Sequence, residues 1–119
     1  MKREQRLRTP AEFRRVRDQA PRGWPNRFLV LYVAPNELDR ARVGITVSSR
    51  VGNAVVRNRV RRRFREAMRA RLDRLVASGQ DLVLVARPAS ADATWSELSS
   101  ALDAALQRAG ATQAPRASV

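Results

Sequence analysis

Val51-Gly52-Asn53-Ala54-Val55-Val56-Arg57-Asn58-Arg59-Val60-Arg61-Arg62-Arg63-Phe64-Arg65-Glu66-Ala67-Met68-Arg69 carries seven arginines in its last thirteen residues. A run this basic usually denotes a disordered tail. Here, however, Val56, Val60, Phe64, Ala67, Met68, Leu72 and Leu75 recur at the three- and four-residue spacing of one helix face. The pattern predicts a helix from about Asn53 to Ala77, stopped at Ser78-Gly79, with a buried stripe and a cationic back. On that back Asn58, Arg61, Arg62, Arg65 and Arg69 fall within about a third of the circumference at roughly 100° per residue. Residues 57 to 74 hold nine arginines, with only Glu66 and Asp73 as acids. A face that served solvation alone would carry acids four residues from its bases. Guanidinium groups fixed in a row on a rigid rod match a row of phosphates, which points to a nucleic-acid partner.

The rest of the composition agrees. The 119 residues amount to one domain with a modest core. Twenty-four basic residues against 11 acidic ones leave a formal charge of +13, far beyond what solubility requires, and self-repulsion of that size calls for an anionic partner. Lys2 is the only lysine. Arginine suits bidentate phosphate contacts and stacking on bases, although coding composition alone can produce the same bias. The absence of cysteine removes disulfides and thiolate metal sites, and the absence of histidine removes the commonest general base and zinc ligand. No apolar run reaches the 18 or so residues of a membrane span, and no signal-type apolar core follows the N-terminus, so a cytoplasmic protein is expected.

Outward from the basic helix, Thr9-Pro10-Ala11-Glu12 is a helix start: Thr9 as N-cap, Pro10 at the first helical position and Glu12 completing a capping box. Phe13 and Val16 give this helix its apolar side as far as Gln19. Residues 20 to 26 are turn-rich, with room for a very short strand. Arg27 to Ala34 is a strand apolar on both faces after Arg27, so both faces need cover. Arg42 to Ser48 alternates, with Val43, Ile45 and Val47 on one side and Arg42, Gly44, Thr46 and Ser48 on the other. The simplest pairing of these two strands is an antiparallel hairpin. Asp81 to Ala86 is a short buried strand. A last helix runs from about Thr94 to Ala109, with Trp95, Leu98, Leu102, Ala105 and Leu106 on its apolar side and Gly110 as its stop. Residues 1 to 110 form one domain, and residues 111 to 119 read as a disordered tail. The expected class is α+β: a two-layer sandwich of one four-stranded sheet with three helices.

Gly52 and Asn53 can turn the chain from strand into helix, where free backbone amides and the positive helix end add to the arginines. Asn58 brings both a donor and an acceptor to a ribose, a base edge or a hydrated metal.

The segment Arg42-Val43-Gly44-Ile45-Thr46-Val47-Ser48-Ser49-Arg50 through Arg69, centred on Arg57-Asn58-Arg59, resembles the signature region of the bacterial ribonuclease P protein subunit. The likeness extends upstream through Phe13 and Phe28-Leu29-Val30-Leu31-Tyr32, and downstream through Gly79 to Pro88 and the final helix. It spans about residues 6 to 110. The resemblance implies a four-stranded sheet packed with three helices and a left-handed crossover around the basic helix, a handedness that ordinary crossover preferences would not suggest. It implies partnership with a catalytic RNA that removes the 5′ leader of precursor tRNA. That holoenzyme is an endoribonuclease in which the RNA carries the catalysis and holds Mg²⁺, and the protein alone is inactive, monomeric and bound one-to-one to the ribonuclease P RNA. By position, the surface facing that RNA would comprise Arg50, Asn53, Arg57, Asn58, Arg59, Arg61, Arg62, Arg65 and Arg69. The cleft for the leader would comprise Phe13, Arg17, Phe28, Val30 and Tyr32, with alternation setting Phe28 on the face of Val30 and Tyr32.

This chain departs from the family pattern twice. Arg17 stands where a second aromatic commonly follows Phe13, and Ser49-Arg50 replaces a basic pair. Three rival readings stay open on the sequence alone: a general RNA-binding module, a self-sufficient nuclease, for which Asp39, Asp73 and Asp81 are poorly clustered, and a membrane-active basic helix.

Overall fold

The computed structural model describes residues 3–20, 22–72, 75 and 79–111. Its elements are α1 (Pro10–Gln19), β1 (Trp24–Pro25), β2 (Leu29–Pro35), β3 (Arg42–Thr46), α2 (Ala54–Arg69), β4 (Gln80–Ala86) and α3 (Trp95–Arg108), with 3₁₀ turns at Arg3–Gln5 and Pro88–Asp92. The class is the α+β sandwich expected: three helices on one four-stranded mixed sheet.

The strand pairing differs from the expected hairpin. The sheet order is β1-β2-β4-β3. β4 lies antiparallel to β2, with Tyr32 opposite Val83, and parallel to β3, with Gly44 opposite the same Val83. β4 is the strand whose consecutive residues Asp81 to Leu84 are all buried, and only an interior strand covers both faces of such a run. The loop after β2 makes the insertion possible. Instead of turning tightly, it admits Gly79, which accepts from Asn36 N–H through its carbonyl (2.8 Å) and donates to the Arg40 carbonyl (3.3 Å). The α2 segment is thus the crossover between two neighbouring parallel strands.

Alternation along β2 divides the core in two. Leu29 and Leu31 join Val43, Leu82 and Leu84 beneath α2 and α3, where Val60, Phe64, Met68, Leu98, Leu102 and Leu106 are fully buried. On the opposite face Tyr32, Ala34 and Val83 pack with Leu7 and Val16 beneath α1. Removing the Phe64 ring from such a site costs about 3–5 kcal/mol.

Each helix end has a local cause. The capping box at Thr9 and Glu12 forms as expected, and a second one, Thr94 with Glu97, opens α3. The Asn53 side chain caps α2 by accepting from Val56 N–H (3.0 Å). That helix ends at Arg69, well short of Ala77. Just past its end Arg71 turns inward, with Nη1 donating to the Ala67 carbonyl (2.7 Å) and Nε to Asp103 of α3 (2.6 Å). The expected stop at Ser78 lies outside the described residues. Trp95, expected on the apolar side of α3, is 47% exposed, because it occupies the first turn and the buried stripe begins at Leu98. Ala111, the first residue of the expected tail, is buried and donates to the Leu106 carbonyl (2.9 Å), closing α3 in a Schellman arrangement. The remainder of the expected tail, 112–119, lies outside the described residues.

A buried ionic cluster ties α1 to the sheet. Asp81 is fully buried and accepts from Arg42 Nε (2.9 Å) and Nη2 (2.7 Å), from Arg15 Nη2 (2.5 Å) and from Asn36 Nδ2 (2.8 Å). Arg42 also reaches Glu12 (2.7 Å), whose carboxylate receives the N–H groups of Arg8 and Thr9. Burial alone would raise the Asp81 pKa, but the hydrogen bonds from Arg42, Asn36 and Arg15 outweigh it and hold the carboxyl below its usual range. A carboxylate with a depressed folded pKa contributes stability that is fully present above the ordinary Asp range and is lost as pH falls below that range through the lowered folded value. Asp81→Asn should therefore destabilise by about 3 kcal/mol, since the substitution leaves the Arg42 charge without its main partner. Urea titrations from pH 7 to 3 should show the gap between wild type and variant narrowing with acid.

Candidate nucleic-acid interface

The buried stripe of α2 fixes which arginines face outward. Asn58, Arg59, Arg62 and Arg69 are exposed, and Arg61 and Arg65 are half-buried beside them. Asn58, Arg61, Arg62 and Arg65 enclose a shallow hollow of about 250 Å³. Arg61 Nη1 donates to Asn58 Oδ1 (2.9 Å), so the asparagine orients a guanidinium at the rim. Among the described residues no carboxylate pairs with Arg61, Arg62 or Arg65.

The other residues expected on this surface have more divided roles. Arg69 is paired with Glu66 (2.8 Å). Arg59 Nη2 donates to the Ala91 carbonyl (2.8 Å), which swings it toward the Pro88–Asp92 turn. Arg57 is half-buried, with its Nε lacking a partner. The carboxamide oxygen of Asn53 is committed to the helix cap, while Arg50 stands exposed in the preceding turn.

Around the β3 edge a second cavity of about 350 Å³ is lined by Arg6, Leu7, Arg8, Phe13, Val43, Gly44, Ile45 and Arg65. Its wall is the N-terminal segment, where Leu7 is buried and its N–H donates to the Val43 carbonyl (3.0 Å). The Phe13 ring lies directly on Gly44, and a Cβ there would stand 2.4 Å from the ring. Arg65 lines both the cavity and the α2 hollow, so the two are neighbours across one guanidinium. Periodicity and resemblance did not point to Arg6 and Arg8. Their signal was the alternation Arg6-Leu7-Arg8, a charged–apolar–charged triplet that makes a single parallel bridge, Arg6 to Val43, at the edge of β3.

Farther along the same sheet face, Val30 is partly buried and Tyr32 is 9% exposed. The Arg17 guanidinium lies over the Tyr32 ring, 4.3 Å from its centroid. The structure thus brings together Phe13, Arg17, Val30 and Tyr32. Phe28 does not join them. It packs against the opposite core and lines a hollow with Ser96, Glu97 and Ser100 of α3. The cause is local: Asn26 Oδ1 accepts from the N–H groups of Phe28 (3.0 Å) and Leu29 (3.2 Å), bending the chain so that alternation starts only at Leu29.

Among the described residues no three acidic side chains gather as a cation cage. Asp81, the buried carboxylate, is saturated by its arginines and Asn36. No helix among them is long and apolar enough to cross a membrane.

Arg61, Arg62 and Arg65, without carboxylate partners among the described residues and bordering a cleft against Phe13 on a mixed α+β sandwich, have the chemistry of the nucleic-acid-binding class of proteins. Over residues 1–110 the chain matches the Ribonuclease P family. It is 46% identical over 114 residues to the ribonuclease P protein component of Roseiflexus castenholzii, covering 95% of this chain and 92% of that protein. To the corresponding protein of Clostridioides difficile it is 38% identical, covering 86% and 89%. The fold superposes on the RNase P protein of Staphylococcus aureus with a TM-score of 0.82 at 30% identity, covering 92% of this chain and 98% of that one. For the Thermotoga maritima protein the TM-score is 0.77 at 25% identity, with coverage of 87% and 96%. The chain belongs to the ribonuclease P protein family, and as its protein component it partners the ribonuclease P RNA.

The contact between Phe13 and Gly44 yields a test. Gly44→Ala should cost about 1–3 kcal/mol by displacing the ring. In a double-mutant cycle with Phe13→Ala, measured by chemical denaturation, most of that cost should vanish; additive effects would mean that the ring is not the obstacle.

Proposed function

We propose that this chain binds the ribonuclease P RNA through α2 and the 5′ leader of precursor tRNA through the cleft beneath α1. In this reading it assists endonucleolytic removal of the leader, leaving a 5′-phosphate on the mature tRNA. The observation that carries the proposal is the position of Arg65, one side chain that borders both the α2 hollow and the cavity against Phe13. RNA bound along α2 and a single strand laid in the cleft would then be held at a fixed separation.

The division of labour follows from charge. Arg61, Arg62 and Arg65 lack carboxylate partners among the described residues, so phosphate binding releases counterions without first breaking an ion pair. The exposed Asn58 sets the rim geometry and can meet a ribose hydroxyl or base edge. In the cleft the apolar floor and guanidinium groups suit a strand whose bases are unpaired. Phosphodiester chemistry is assigned to the RNA, together with the Mg²⁺ it holds. The complex is one protein to one RNA, in the cytoplasm.

The test is equilibrium binding of this chain to a bacterial ribonuclease P RNA across a salt series. Arg61→Ala with Arg65→Ala should lower the slope of log K against log salt by about two units, one for each phosphate no longer neutralised. An unchanged slope would remove both residues from the interface.

A further inference from the structure

The least expected feature of the cleft is that its tyrosine is covered. Tyr32 is only 9% exposed, Arg17 lies over its ring, and the Gly23 backbone abuts it so closely that a Cβ there would stand 2.8 Å from a ring carbon. An incoming base does not find an open aromatic face on Tyr32. It finds Arg17, an exposed residue whose guanidinium has neither an ion pair nor a hydrogen bond among the described residues. We propose that Arg17 is the stacking platform for a leader base in this chain, and that Tyr32 is a positioning residue that holds the guanidinium flat from beneath.

Planar delocalised guanidinium stacks on aromatic rings and on bases alike, and its in-plane N–H groups are free to reach a phosphate while both faces are occupied. Tyr32, Arg17 and a nucleobase would form three layers, with the lowest layer immobile in the core. The underlying ring reduces the rotamer freedom that an exposed arginine otherwise loses on binding. Such a platform reads single-strandedness and charge and does not read base identity, because every base has a π-face. It also makes leader recognition depend on salt at a position where an aromatic residue would not.

This inference rests on the leader reading, and the experiment separates the two. A holoenzyme reconstituted from this chain and a bacterial ribonuclease P RNA is titrated with a precursor tRNA carrying a single-stranded leader and, separately, with mature tRNA, across a salt series. The ratio of the two Kd values isolates the leader contribution. Arg17→Ala should lower the ratio about tenfold and reduce its salt slope by about one unit. Arg17→Lys should keep the slope but lose most of the ratio, because charge remains without a plane. Arg17→Phe should keep most of the ratio while losing the slope. Tyr32→Leu, which removes the ring but keeps an apolar side chain in the core, should lower the ratio in the Arg17 protein and add nothing in the Arg17→Ala protein. Arg17→Lys matching wild type in both quantities would overturn the stack, and additive Tyr32 and Arg17 effects would overturn the positioning role. A wild-type ratio of one would instead overturn leader recognition itself.

Discussion

A carboxylate as deeply buried as Asp81 is stable only when its charge is answered on the spot, and Arg42, Arg15 and Asn36 do so from three separate segments. Arg42 belongs to β3, Asp81 to β4 and Arg15 to α1, so one charged centre sets the angle at which α1 crosses the sheet. Glu12 extends the cluster through Arg42 and, by accepting from the Arg8 and Thr9 backbone, fixes the N-terminal segment as well. Burial pulls against ionisation of Asp81, while the hydrogen bonds favour it and prevail. Every wall of the cleft is referred to this cluster: Phe13 and Arg17 from α1, Gly44 from β3, Arg8 from the entering chain.

The arginines fall into two populations despite their common chemistry. Arg15, Arg42 and Arg71 turn inward, each against a carboxylate, and serve as structural braces. Arg61, Arg62 and Arg65 turn outward without one. The first set contributes to folding and adds little to the external field, whereas the second concentrates positive potential along one helix and into one cleft. A net charge of +13 is therefore a poor guide to the interface until the paired arginines are set aside.

Features governed by neighbouring residues were legible in the sequence. The capping box at Thr9 and Glu12 requires only four residues, and the stripe Val60, Phe64, Ala67, Met68 announces both the helix and its buried side. The strand order was not legible from the residues alone, because nothing local distinguishes a hairpin of β2 and β3 from a sheet in which β4 enters between them; the hints were the doubly apolar run of β4 and the crossover around the basic helix that the family resemblance implied. The early end of α2 depends on Arg71 meeting Asp103, 32 residues away. Phe28 was misplaced because two hydrogen bonds to Asn26 override alternation. The α2 face was visible from helical periodicity and the family signature, but the cleft wall formed by Arg6 and Arg8 depends on pairing with β3 and was missed. The Arg17 departure was visible, while its seat on Tyr32 required the fold.

In the proposed function an RNA-facing helix and a leader cleft are joined in one rigid protein that aids an RNA catalyst. The most direct test is cleavage of a precursor tRNA by a bacterial ribonuclease P RNA at low Mg²⁺, with and without this chain, for a normal leader and for one cut to a single nucleotide. Strong stimulation that shrinks with the short leader is the predicted result. Equal stimulation of both substrates, or cleavage by the protein without RNA, would contradict it.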